Sequence, residues 1–154
     1  MKNLFAGVAL LFATVFGITN AQAQTYKTGA GLLIDVGDGT TLVGPHVKHF
    51  FSGNNAGEFA VLFGGHTTWI QAMYQYNKGI SGAQGLMWYV GVGPTVGFGN
   101  GDSVFGVVPT AGLDYKIQGA PLDLSFDWRP RIMFYDGDSD FVAGRFGIGL
   151  RFTF

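Results

Sequence analysis

Phe141-Val142-Ala143-Gly144-Arg145-Phe146-Gly147-Ile148-Gly149-Leu150-Arg151-Phe152-Thr153-Phe154 alternates almost without a break. Phe146, Ile148, Leu150, Phe152 and Phe154 fall on one face, and Arg145, Gly147, Gly149, Arg151 and Thr153 on the other. A period of two is a β-strand with unlike faces. An apolar face rich in phenylalanine, backed by glycine and arginine, predicts lipid on one side of the strand and a packed polar lumen on the other. The expected class is therefore an outer-membrane barrel.

The other end of the chain agrees. Met1-Lys2-Asn3, an apolar run from Leu4 to Ile18 and then Ala21-Gln22-Ala23 have the basic start, apolar core and small-residue site of a secretory signal peptide. The run is too short to span ~30 Å of hydrocarbon with any margin, so cleavage after Ala23 is expected rather than anchoring. Residues 1–23 then form a signal peptide and 24–154 a single barrel domain, secreted across the inner membrane and inserted in the outer one. There is no cysteine, which leaves no lipidated amino terminus, disulfide or thiolate metal site. Charged residues are 12% of the chain, about half the ~25% of soluble domains. No later window holds the ~18 consecutive apolar residues of a spanning helix. A net charge of −1 offers no basic face to nucleic acid.

Glycine, asparagine and aspartate clusters cut the mature chain at Gly37-Asp38-Gly39, Ser52 to Asn55, Gly64-Gly65, Lys78 to Gln84, Gly99 to Asp102, Gln118 to Pro121 and Asp136-Gly137-Asp138. The segments between them suit the ~9–11 residues of a tilted membrane strand. The expected fold is all-β, an eight-stranded antiparallel up-and-down transmembrane barrel. A soluble barrel of the lipocalin kind has the same period with its apolar face inward. Two features oppose that: the polar face is mostly glycine, and aromatics gather at the strand ends of the apolar face. Tyr26, Phe51, Phe59, Tyr76, Trp88, Tyr115 and Phe154 mark one end, and Phe63, Phe98, Phe105, Phe134 and Phe141 the other. Such belts are interfacial girdles.

Alternation places Lys27, Asp35, His46, Lys48, Glu58, Asp114, Lys116, Asp123, Asp127, Arg129, Arg131, Arg145 and Arg151 inward. An eight-stranded barrel is just wide enough for side chains to fill, so the expectation is a closed network of charge pairs rather than a pore. Facing residues in an antiparallel pair keep a constant number sum. A short turn pairing Ile117 with Leu122 sets Lys116 against Asp123 and Asp114 against Ser125. In the last hairpin, Asp127 opposite Arg151 is preferred to the slip that sets Arg131 against Arg145. Pro45, Pro94, Pro109 and Pro130 fall on the outward face inside strands, where a missing donor is out of place. The same counting pairs Pro109 with Pro130 and Pro94 with Pro109. It predicts a proline seam across three adjacent strands, either a structural weakness or a lateral passage.

Lys48-His49-Phe50, Trp88-Tyr89-Val90-Gly91-Val92-Gly93, Leu122-Asp123-Leu124-Ser125-Phe126-Asp127-Trp128-Arg129-Pro130 and Arg151-Phe152-Thr153-Phe154 resemble a family of small outer-membrane β-barrel proteins, with the architecture of OmpA- and OmpX-type eight-stranded barrels. The resemblance covers essentially the whole mature chain. It implies location and fold, not chemistry. It implies outer-membrane lipid and the outer-membrane assembly machinery as partners, with Phe152 and Phe154 as the assembly signal that the machinery reads. The carboxyl end of such barrels faces the periplasm, so the short loops near residues 38, 66, 101 and 138 face outward, carrying Asp38, Asp102, Asp136, Asp138 and Asp140.

An enzyme needs a nucleophile beside a base, or a metal. His46, His49 and His66 are scattered, Ser52 lies in a turn without an acidic partner nearby, and Ser103 and Ser139 lie in loops without histidine. Asp136-Gly137-Asp138-Ser139-Asp140 begins like a calcium loop but has Phe141 and Gly147 where glycine and glutamate belong. No catalytic, metal or cofactor residue is assigned. The leading expectation is a monomeric, non-enzymatic outer-membrane protein with a structural or surface-interaction role. Behind it stand a narrow, porin-like channel for small or apolar solutes and, third, a lipid-modifying enzyme.

Overall fold

The computed structural model describes residues 26–154; the expected signal peptide, 1–23, lies outside them. The described strands are β1 (Thr28–Gly37), β2 (Thr40–Ser52), β3 (Asn55–Gly64), β4 (Thr67–Ile80), β5 (Ala83–Gly99), β6 (Asp102–Lys116), β7 (Leu122–Trp128), β8 (Arg131–Tyr135), β9 (Asp138–Val142) and β10 (Arg145–Thr153). β7 and β8 are one stave interrupted at Arg129-Pro130, and β9 and β10 another interrupted at Ala143-Gly144. Consecutive staves pair antiparallel, and β1 with β10 closes the sheet. The protein is a closed eight-stranded antiparallel barrel.

All seven predicted breaks are turns. At one end, here the upper, three two-residue hairpins place both central residues at positive φ: Asp38-Gly39 (50° and 73°), Gly65-His66 (59° and 61°) and Asn100-Gly101 (51° and 79°). These are the turns whose twist matches that of the flanking strands. His66, in the second of the expected outward loops, is a turn residue in the left-handed region. The lower end carries the turns at Gly53-Asn54 and Ser81-Gly82 and the longer connection from Ile117 to Pro121.

Burial follows the alternation. Along β2, Leu42, Gly44, His46, Lys48 and Phe50 are buried in the lumen, while Val43, Pro45, Val47 and His49 face out. Phe126, Trp128, Ile148 and Leu150 lie on the outer face, and Asp127, Arg129, Arg145 and Arg151 inside. Three placements depart from expectation. Tyr26 turns into the lumen and stacks edge-on against Phe50 at 5.3 Å instead of joining a belt. Lys27 precedes β1 and is exposed, so it leaves the network. Pro130, expected on the outward face inside a strand, is buried in the break between β7 and β8.

The prolines interrupt the sheet one interface at a time. Phe50 N–H donates to Lys27 O at 2.8 Å. Stepping by two, Pro45 therefore aims its nitrogen at β3, and there the pairing lapses between Val43↔Phe63 and His46↔Ala60. Pro94 does the same toward β4, between Gln71↔Thr95 and Tyr74↔Val92. Pro109 and Pro130 share the third lapse, between Ala111↔Trp128 and Val107↔Ile132. The expected Pro94–Pro109 pair does not form: Pro94 faces Val107 and Pro109 faces Val92. The tight Asn100-Gly101 turn starts the ladder at Gly99↔Asp102, two residues short of the sum that would align them. No seam runs across three strands at one height.

Candidate functional site

The lumen is filled by charge in two clusters. The lower one is built on Arg129 and Arg151, both essentially unexposed. Arg129 lies beyond β7, where its chain turns inward before Pro130. It grips Asp127 with two donors at 2.6 Å each, reaches Glu58 across the lumen at 3.1 Å and Gln71 at 3.3 Å. Tyr89 O–H also donates to Asp127. Arg151 donates to Asp123 at 2.6 and 3.0 Å, to Asp114 at 3.1 Å and to Glu58 at 3.5 Å. Lys48 donates to Asn77 at 2.6 Å and Asp114 at 2.9 Å, with its ammonium 4.4 Å from the Tyr89 ring centre. Tyr26 O–H donates to Asp114 at 2.7 Å.

Glycine makes this packing possible. A Cβ on Gly147 would stand 2.6 Å from both Arg129 Nε and Asp127 Oδ1. Below the cluster, Tyr26, Phe50, Ala56 and Met87 form an apolar floor. Above it, on the β1–β3 wall, Leu33, Leu42, Ala60 and Leu62 form a second apolar group, with Trp69 packed against it.

The upper cluster is smaller. Asp35 accepts from Arg131 at 2.5 Å and Arg145 at 3.0 Å. Arg145 also donates to the carbonyls of Gly37 at 2.7 Å, Asp35 at 3.2 Å and Thr40 at 3.3 Å, tying down the first hairpin turn. The Arg131 guanidinium stacks 4.3 Å over the Trp69 ring. A cavity of about 280 Å³ opens above them.

Several expected partners differ. Lys116 does face Asp123 in the ladder, and Asp114 faces Ser125. Yet Lys116 Nζ turns to the carbonyls of Ile117 and Ala120 at 3.0 and 2.5 Å, and Asp123 belongs to Arg151. Arg151 faces Asp123 in the ladder, and Asp127 faces Gly147. The expected Asp127–Arg151 register is thereby corrected. The two-residue Asp136-Gly137 turn starts the last hairpin at Tyr135↔Asp138, and one extra residue at Ala143-Gly144 shifts the ladder below it. Nor are Arg131 and Arg145 kept apart: both hold Asp35. Tyr26, Asn77 and Tyr89 carry no charge at neutral pH yet bond into the network as well. Tyr89 was legible as an inward position; its partner was not.

No family model, curated protein or solved structure matches this chain. Every lumen carboxylate is held by at least one cation, which suits them to plug and brace the barrel. Among the described residues, no group of three or more potential metal ligands converges.

Proposed function

We propose that this chain is an integral outer-membrane barrel with a closed lumen and a non-enzymatic role in envelope structure or surface interaction. One observation carries the reading: the molecule is inverted relative to a water-soluble protein. Arg129, Arg151, Lys48, Asp35 and Asp114 are at 0–1% exposure, while Phe63, Val92 and Leu32 are at 50–54%. Soluble monomers rarely expose apolar patches beyond a few hundred Å², whereas hydrocarbon calls for a closed barrel with an apolar outer band. Tyr76 and Trp88 lie toward the lower rim of that face, and Phe98, Phe105 and Phe134 toward the upper, in keeping with interfacial belts, whereas Phe59, expected in the lower belt, pairs with Ala72 at mid-height.

The test is fractionation of cells expressing the full chain, together with planar-bilayer conductance of the purified barrel. The protein is expected in the outer-membrane fraction, migrating as a compact band until boiled, and without steady conductance. Recovery in a soluble fraction overturns the location, and a steady open pore overturns the closed lumen.

A second reading, sideways passage of apolar solutes, is favoured by the lapse at Pro109 and Pro130. It is opposed by the indole of Trp128, which donates to Ala143 O at 2.6 Å beside the break, and by the burial of Pro130.

A further inference from the structure

We propose that the upper mouth of the barrel binds a single oxyanion group, a carboxylate or a phosphate, held by Arg131 against Trp69. The site rests on the barrel's geometry and not on the envelope role proposed above.

Charge is the first ground. Arg131 and Arg145 have side-chain exposures of 4% and 5%, and share one carboxylate, Asp35, at 0%. Among these three buried groups one positive charge is in excess, with only the exposed carboxylates of Asp38 and Asp140 in the cavity lining to offset it, and buried charge without a full complement of partners is expensive. The next ladder partner offers no relief. Arg129 N–H donates to Arg145 O at 3.0 Å, so another arginine sits beside the cluster, and its own guanidinium is committed to Asp127 and Glu58.

Donor use is the second. Arg145 spends its nitrogens on Asp35 and three backbone carbonyls. Arg131 donates to Asp35 through Nη2, and its buried Nε has no partner. Its flat guanidinium rests on the Trp69 face. Asp35 takes one of the two Nη2 hydrogens; a small slide along that ring presents the other, together with Nε–H, to an oxyanion in the fork geometry arginine favours.

The third is space. The cavity of about 280 Å³ touches Arg131, Arg145, Trp69, Met133 and Tyr135, which is room for a small solute or a headgroup but not an extended chain. Asp38 and Asp140 also line it, and neither forms an ion pair with the arginines among the described residues. Both are exposed. They disfavour a multiply charged anion and leave a place for an amine on the same ligand. Leu33, Leu42 and Leu62 pack beneath on the β1–β3 wall.

The chain has three tryptophans. Trp88→Phe with Trp128→Phe leaves Trp69 as the sole tryptophan, excited selectively over tyrosine, in full-length barrel refolded in an uncharged, phosphate-free detergent. One arm titrates acetate and phosphoethanolamine against chloride at constant ionic strength; the other dopes phosphatidylethanolamine into the micelles. A saturable change in Trp69 emission is expected, weakened at least tenfold by Arg131→Gln. Met133→Asp, which sets a fixed carboxylate in the same cavity with Arg131 in place, is expected to abolish it. Saturation by the free solutes assigns the site to a dissolved ligand, and saturation by lipid alone to a headgroup. A chloride-like, non-saturating response in both arms overturns the proposal, as does Arg131→Gln titrating like its parent. If Arg131→Gln does not fold, an undiminished response in Met133→Asp overturns it equally.

Discussion

Pro109 and Pro130 face each other across the wall of the barrel at a position where each nitrogen would have donated to the other's carbonyl. Ile117 N–H donates to Leu122 O at 2.9 Å. Every second pair above it repeats that pattern, through Ala111↔Trp128 to the proline pair, and Val107↔Ile132 resumes it. Two donors are missing from one site, and two carbonyls lose their partners.

Restoring one donor should therefore tighten this part of the wall. Pro109→Val is expected to stabilise the folded barrel by roughly 0.5–1.5 kcal/mol, the net worth of a typical hydrogen bond. It should also slow amide exchange at Val108 and Thr110. Exchange unchanged at both would mean that the carbonyls are already satisfied and the wall is not weak there.

Gly147 offers a sharper loss. Its Cβ would crowd Arg129 and Asp127 at 2.6 Å each, whereas nothing lies within 4 Å of a Cβ on Gly53. Separating a buried pair costs about 3–5 kcal/mol when one partner is stranded, so Gly147→Ala should lose a large part of that while Gly53→Ala stays near parental. Urea unfolding of both variants in lipid vesicles decides it.

The partner of Arg151 can be read by a double-mutant cycle. Arg151 and Asp123 are expected to couple by about 1–3 kcal/mol, as contacting members of one network do. Arg151 and Asp127 should couple weakly, because Asp127 is held by Arg129 and Tyr89. Equal coupling in the two cycles would mean that the lower cluster acts as a single undivided unit.

Ile148 faces outward opposite Phe126 on β7. If that face meets hydrocarbon, Ile148→Arg should lose ~2–4 kcal/mol in a bilayer. Folding free energies measured in vesicles that match the parent's would argue against lipid at that surface.

Much of this barrel is legible along the chain because strand and turn are local events. Asp38-Gly39 and Asn100-Gly101 tolerate positive φ, so the breaks could be placed before any pairing was known. Alternation then sorted Asp127, Arg129 and Arg151 from Phe126, Trp128 and Leu150. Tyr26 and Lys27 went astray because they lie before β1, where strand periodicity no longer applies.

The sequence by itself determined the strands, the turns and which side chains go inside, since each depends on neighbours two to four residues away. Only the tertiary structure decided who holds whom. A single extra residue at Ala143-Gly144 moved every later pair, setting Arg151 on Asp123 and giving Arg145 a share of Asp35 with Arg131. Arg129 and Glu58 are 71 positions apart and meet only because the sheet closes across a lumen narrow enough for one guanidinium to span. Lys116 faces Asp123 yet bonds to its own turn, because a buried carboxylate takes the partner that can supply several donors at once, and here that is arginine.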